Sequence, residues 1–407
     1  MTGTFRALGG YNYRVWACGA LVSNMGTWMQ RIAQDWIVLT QLTRNNATAV
    51  GVVMALQFGP QLLLLPLTGY AADRFDRRKL LIATQAAMGA LALGLGLLTV
   101  TGNVRLWQVD LFALLLGCVS AFDSPARQTF VSDLVGETDL ANAVALNSIS
   151  FNAARMMGPA VAGILIASVG VGWVFLVNAA SFSAVLCSLC LLRVEELHRG
   201  DRAARTRGGL ADGFRYIRKR PDLMAVMIML FLVCTVGVNF PIFIAAMSVT
   251  VFHAGASQFG LLTSSMALGA LAGALLSARQ ETPRFTRLTA GAALLGAGLA
   301  LASVLPNFWL FGLALLMIGM AAQTFTTSTI SLVQLSTDPG MRGRVMAILM
   351  AVALGGTPVG APVTGWVADT FGPRAALCLG AASGFAAALT GVVYLARRQA
   401  ASRLIKW

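Results

Sequence analysis

Gly69-Tyr-Ala-Ala-Asp73-Arg74-Phe-Asp76-Arg77-Arg78-Lys79 places six charges within the seven residues from Asp73 to Lys79, between two long apolar runs. The runs, residues 50–66 before it and 80–99 after it, each approach the roughly 20 residues that a helix needs to cross a hydrocarbon core. A charged link this short between two such runs reads as a tight hairpin at a membrane surface. Its four cations, Arg74, Arg77, Arg78 and Lys79, mark that surface as cytoplasmic, because loops on that side carry the excess of Lys and Arg.

The rest of the chain agrees with a membrane reading. Of 407 residues, 57% are hydrophobic and 11% charged, whereas soluble domains carry about a quarter charged residues. The apolar runs contain Gly and Pro, which bilayer helices tolerate, and lack the ten-residue alternation of a barrel. An all-α membrane protein is expected. The formal charge of +14 follows topology rather than nucleic-acid binding, as its distribution shows below. No cleavable signal is expected ahead of the first span. All six cysteines sit in apolar runs and behave as small hydrophobes. Cys187 and Cys190 form a lone C-x-x-C, and His198 and His253 are the only histidines, so neither a disulfide framework nor a metal site is expected.

Apolar runs bounded by charges give twelve spans, near 14–39, 47–68, 79–101, 105–130, 140–169, 171–192, 221–251, 257–278, 286–305, 307–334, 343–370 and 373–396. An even number puts both termini on one side, and the basic residues test the alternation. Twenty-five fall on the proposed cytoplasmic side, among them nine between Arg193 and Arg220, and three on the other, Arg44, Arg105 and Arg374. Arg31 and Arg155 lie within spans. Residues 193–220 form the one long polar segment, and its second part, from Leu210, alternates apolar and basic positions at helical spacing. It divides the chain into a six-helix half over residues 1–192, a cytoplasmic linker with an amphipathic helix along the membrane, and a second half over 221–407. Shifting the chain by about 200 residues places Gly158 on Gly360, Gly163 on Gly365 and Gly170 on Gly372, as an internal repeat would.

Ionisable groups inside spans are the candidate machinery, since each must face a partner or a water-filled cavity. In the first span Asn24, Trp28, Arg31 and Asp35 advance by fours and threes as one polar stripe facing a water-filled cavity, and Asn24, Trp28 and Arg31 are read as substrate contacts. Asp35 is the leading proton carrier, because a carboxylate partly withdrawn from water can load and release protons; a permanent pair with Arg31 is the alternative. Arg155, near the middle of the fifth span, is read as a substrate contact with Asn152, although an asparagine also ties helices together. Asp123 and Arg127 share a face of the fourth span at i, i+4; Asp123 is a second proton-coupling candidate. The later spans offer neutral contacts, Asn239, Gln323 and Thr327.

The hairpin resembles the G-x-x-x-D-R-x-x-R-R loop of major facilitator superfamily transporters, and Gly158-Pro159-Ala-Val-Ala-Gly163 resembles the antiporter motif of the superfamily's exporters, with Ala162 replacing a glycine. With Ser23 to Trp36, Ser124 to Val131, Asn142 to Ser148 and Arg342 to Val345, nearly the whole chain is similar to the drug and siderophore exporter branch, to which the enterobactin exporter and macrolide efflux proteins belong. The resemblance implies two pseudo-symmetric six-helix bundles, alternating access, and proton-coupled export of amphiphilic small molecules. It implies a cytoplasmic latch in which Asp123 and Arg127 interlock with Gly69, Asp73, Arg74, Arg77 and Arg78. A monomer in the inner membrane is expected, contacting lipid, protons and a small-molecule substrate, with the proton gradient as energy source, no cofactor and no enzymatic activity. A solute importer or lipid translocator of the same fold is the alternative.

Overall fold

A computed structural model describes residues 5–64, 67–68, 75–198, 210–278 and 284–404. Gly69, Asp73 and Arg74 of the hairpin and residues 199–209 of the linker lie outside the described residues. Among the described residues every regular element is helical. Helix α1 (Tyr11–Ile37) ends in a π turn at Val38–Leu42. It is followed by α2 (Ala47–Leu63), α3 (Arg77–Val100), α4 (Leu106–Leu134), α5 (Glu137–Val169) and α6 (Val171–Cys190). The amphipathic α7 (Leu210–Lys219) precedes α8 (Pro221–Val251), which is interrupted by π turns at Val233–Gly237 and Met247–Val251. Then come α9 (Ala256–Ala278), α10 (Phe285–Val304), α11 (Phe308–Ser336), α12 (Arg342–Phe371) and α13 (Pro373–Leu404).

Ten of these, α3 to α6 and α8 to α13, are long and apolar enough to cross a membrane. The expected twelve spans therefore appear as ten that meet both conditions and two that meet one. α2 is apolar but 17 residues long. α1 has 27 residues, and its stripe of Asn, Gln, Arg and Asp dilutes its hydropathy.

Local chemistry sets the ends. The Asp76 carboxylate accepts from the Lys79 backbone N–H at 3.1 Å and starts α3, and Asn307 does the same for α11 through Trp309. Gly170 and Gly372 join α5 to α6 and α12 to α13 at φ of 92° and 93°, a conformation that a residue with a Cβ adopts only under strain. The shared geometry matches the repeat seen in the sequence.

The chain forms two compact units: Met1–Arg44 with Leu56–Arg205 and Gly255–Ser264, and Asn45–Ala55 with Thr206–Ala254 and Ser265–Trp407. Each unit includes one helix end that a cut at the linker would assign elsewhere. In the first, α1 packs on α5 and α6, and α3 on α4 and α6. Tyr13, Trp16, Leu81, Phe130 and Leu189 form a buried cluster there, and the Tyr13 hydroxyl donates to the Ala143 carbonyl at 2.8 Å. In the second, α10 packs on α11 and α13, and α12 on α13 and on the π turn of α8.

Glycines set the closest approaches in both units. A Cβ on Gly163 would lie 2.6 Å from the Ala256 carbonyl oxygen at the start of α9, and one on Gly365 would lie 2.5 Å from that of Ala47 at the start of α2. There Asp369 accepts from the Ala47 and Thr48 N–H groups at 2.7 and 2.8 Å, satisfying donors that open a helix.

Gly365→Ala is expected to lower stability by about 1–3 kcal/mol, since α2 meets it with backbone rather than a movable side chain. Thermal unfolding in detergent measures this. Gly9→Ala, with nothing among the described residues within 4 Å of its Cβ, should leave the midpoint unchanged.

Candidate functional site

Two polar assemblies lie within the first unit, and they differ in whether their charges are satisfied. The first centres on Asp123 of α4, 4% exposed. One carboxylate oxygen accepts from the Thr84 hydroxyl at 2.8 Å and the Gln85 amide at 2.7 Å, both on α3. The other accepts from Nε and Nη2 of Arg127 at 3.1 and 2.8 Å. Nη1 of Arg127 donates to Asn24 Oδ1 on α1 at 2.9 Å. A carboxylate accepting four hydrogen bonds, two of them from one guanidinium to a single oxygen, is well compensated for its removal from water. The assembly ties α1, α3 and α4 together.

This changes the roles expected of several residues. Asn24, read as facing substrate, has its oxygen engaged by Arg127. Arg77, read as interlocking with Asp123 and Arg127, pairs instead with Asp133 at 2.6 Å. Arg77 opens α3 while Asp133 closes α4; Asp123 lies ten residues further along the helix, about 15 Å at 1.5 Å per residue, so one side chain cannot serve both depths. Arg78 donates to the Leu189 and Cys190 carbonyls at 2.8 and 3.5 Å, closing the last turn of α6. Thr84, Gln85 and Asp133 were not anticipated. The signal for the first two was a polar pair inside an otherwise apolar span.

The second assembly carries unpaired charge. Arg31 lies over the Trp28 ring, its guanidinium carbon 4.8 Å from the centroid, and 5.7 Å from that of Phe58. Such contacts hold a desolvated cation by about 2 kcal/mol, and Nε of Arg31 is buried without a hydrogen-bond partner among the described residues. Asp35, 8% exposed, makes no ion pair with Arg31 and no side-chain hydrogen bond among the described residues. Trp28 meets Phe151 of α5 edge to face at 5.7 Å. One turn on from Phe151, Arg155 also has a buried Nε with no hydrogen-bond partner among the described residues. Asn152, between them, donates back to the Ser148 carbonyl at 2.8 Å.

The Gly158-Pro159-x-x-x-Gly163 element brings the two sides together. A Cβ on Gly158 would lie 2.7 Å from that of Trp28, so this glycine admits α1 against α5 beside the aromatic pair. Gly163 receives the start of α9, whose Ser257 hydroxyl donates to the Gly163 carbonyl at 3.3 Å. The motif is a close-packing surface for α1 and α9.

The contacts expected of the second unit are more structural. Asn239 is fully buried and donates to the Thr235 carbonyl at 2.8 Å and the Thr364 hydroxyl at 2.9 Å, tying α8 to α12. Gln323 donates to Thr327 on its own helix at 3.2 Å.

A helical membrane fold with ionisable groups inside its spans has the elements from which a path for a solute or ion is built. The chain matches the transmembrane secretion effector family over residues 2–405 and belongs to that family, within the major facilitator superfamily. It is a secondary transporter and not an enzyme. It is 26% identical over 357 residues to the staphyloferrin A transporter of Staphylococcus aureus, covering 86% of this chain and 87% of the relative. It is 26% identical over 361 residues to the enterobactin exporter EntS of Shigella flexneri, covering 88% and 85%. Among solved structures, a bacterial homolog of the human lysosomal transporter Spinster shares the fold with a TM-score of 0.71 at 17% identity, over 97% of this chain and 96% of that one. A POT family transporter in complex with 5-aminolevulinic acid does so at 0.76 and 11%, over 95% and 96%.

Asp123→Ala is expected to cost about 3–5 kcal/mol, because it leaves Arg127 charged and unpaired. Asp123→Ala with Arg127→Ala should cost less than the two single losses added. Denaturant unfolding in detergent measures all three proteins, and additive single losses would remove the pair as a structural tie.

Proposed function

We propose that this transporter exports amphiphilic small molecules in exchange for protons, by alternating access of two six-helix halves in the inner membrane, with both termini cytoplasmic. The observation that carries the reading is the set of ionisable groups in the first unit without close ion pairs among the described residues: Arg31 and Arg155, each with a buried Nε that has no hydrogen-bond partner, and Asp35, with Trp28 and Phe151 beside them. Intramembrane charges without partners are costly unless they serve a substrate or proton path. The saturated Asp123 pair leaves Asp35 as the acid better suited to proton exchange.

Exchange follows when proton and substrate compete for one carboxylate. Ionised Asp35 accepts from donor groups of the substrate; a proton arriving from outside withdraws that acceptor and releases the substrate. Arg31 and Arg155 supply donors for the substrate's acceptor groups, and Trp28 and Phe151 supply apolar surface for its hydrocarbon part. The basic excess of twenty-five residues against three supports the orientation. The names of the relatives, a staphyloferrin A transporter and an enterobactin exporter, support a siderophore-like substrate.

In everted vesicles with an imposed pH gradient, adding substrate should move protons with the native protein. Asp35→Asn should abolish that movement while substrate binding remains measurable; undiminished transport would reject Asp35 as the carrier. Arg155→Gln should weaken binding about tenfold or more, the loss of a charged hydrogen bond. Inward accumulation of the solute in whole cells would replace export by import.

A further inference from the structure

The second unit carries a groove apart from the unpaired charges of the first. It holds about 600 Å³ between the first turns of α8 and the last turns of α13. Its walls change character along their length. Met224, Ile228 and Val393 form an apolar wall, Ile228 and Val393 being 44% and 42% exposed, and Tyr394, Arg397 and Arg398 close the end where α13 leaves the span. Asp222 is the one acid of the lining, and it is already held: Arg220 donates to its two oxygens at 3.0 and 2.7 Å. Arg397 and Arg398 have no ion pair among the described residues.

A second depression of about 580 Å³ shares Met224 and is lined by Phe214, Arg215, Arg218 and Lys219 of α7. Helix α7 is fixed in place. Its Gly213 approaches Ile348 and Arg344 of α12, Ile217 is 4% exposed, and the Tyr216 hydroxyl accepts from the Asp338 N–H at 3.3 Å. Arg220, just beyond it, donates to the Ser336 carbonyl at 3.0 Å. Its other face presents Phe214, 60% exposed, beside Arg218 and Lys219, while Arg215 is drawn toward Asp212 at 3.5 Å.

We propose that this paired site binds an anionic phospholipid of the leaflet at the chain's basic face, headgroup phosphate on Arg397, Arg398, Arg218 and Lys219, acyl chain along Met224, Ile228 and Val393. Charge complementarity selects the occupant. The single acid is neutralised internally, the remaining charges are cationic, and they stand at the end of an apolar wall. Arginine forks suit phosphate oxygens, a tyrosine suits the boundary between headgroup and chain, and methionine adapts to a mobile acyl chain. A free anion would use the cations but not the wall; a zwitterionic lipid would use the wall but satisfy the cations poorly.

The test titrates dioleoylphosphatidylglycerol, dioleoylphosphatidylcholine or inorganic phosphate into the full chain in detergent, reading the unfolding midpoint and the lipid retained in native mass spectrometry. Phosphatidylglycerol should raise the midpoint by about 3 °C near saturation, and the other two should not. Arg397→Gln with Arg398→Gln should weaken phosphatidylglycerol binding about 30-fold, from the attraction each surface cation contributes. Ile228→Trp, which fills the wall without changing charge, should block retention as well, and Arg14→Gln with Lys79→Gln should leave it intact. An equal shift with phosphatidylcholine or phosphate, or full retention by the Arg397/Arg398 variant, would overturn the assignment.

Discussion

A charge taken out of water must be answered by a partner or a solvent path, and this protein sorts its few intramembrane charges by which of the two they receive. Asp123 and Arg127 receive partners: four hydrogen bonds reach the carboxylate and a fifth joins the guanidinium to Asn24. Those bonds come from α1, α3 and α4, so the cost of burying one ion pair becomes a constraint on three helices. Among the described residues Arg31 and Arg155 each have a buried Nε with no hydrogen-bond partner, and Asp35 stands one turn from Arg31, within electrostatic reach of it but without a close ion pair. The contrast within one unit separates a tied set of charges from an open one.

The same economy appears in the backbone. Association between helices in lipid lacks the hydrophobic drive available in water, so close packing carries much of it. Gly163 and Gly365 let helix starts approach to carbonyl contact, and each belongs to a helix that then turns through a positive-φ glycine into its neighbour. Gly158 serves a further purpose by admitting Trp28, the ring on which Arg31 rests. A motif that reads as a transport signature is, in its contacts, a device for closing α5 on α1 and α9.

Much of this was legible in the sequence. Hydropathy bounded by charge placed the helices within a few residues, because both are properties of single residues. The stripe from Asn24 to Asp35 was legible for the same reason, since helical periodicity alone assigns its face. Partnership was not. That Arg77 meets Asp133, that Asp123 recruits Thr84 and Gln85, and that Asn239 is sealed against Thr364 depend on depth and rotation between helices distant in sequence. The i, i+4 spacing of Arg31 and Asp35 leaves them within electrostatic reach, yet the guanidinium rests on the aromatic faces of Trp28 and Phe58 rather than in a close ion pair.

That substitution bears on coupling. A permanent Arg31–Asp35 ion pair would answer both charges at once and leave nothing for a proton or a substrate to alter. An arginine resting on aromatic rings is held through the quadrupole of the rings, an attraction that does not require the carboxylate to be ionised. Asp35 can then change charge without releasing Arg31, and Arg31 keeps its N–H donors for another acceptor. On the proposed exchange, one short segment of α1 thus holds both an acid and a cation that is not locked to it by a close ion pair.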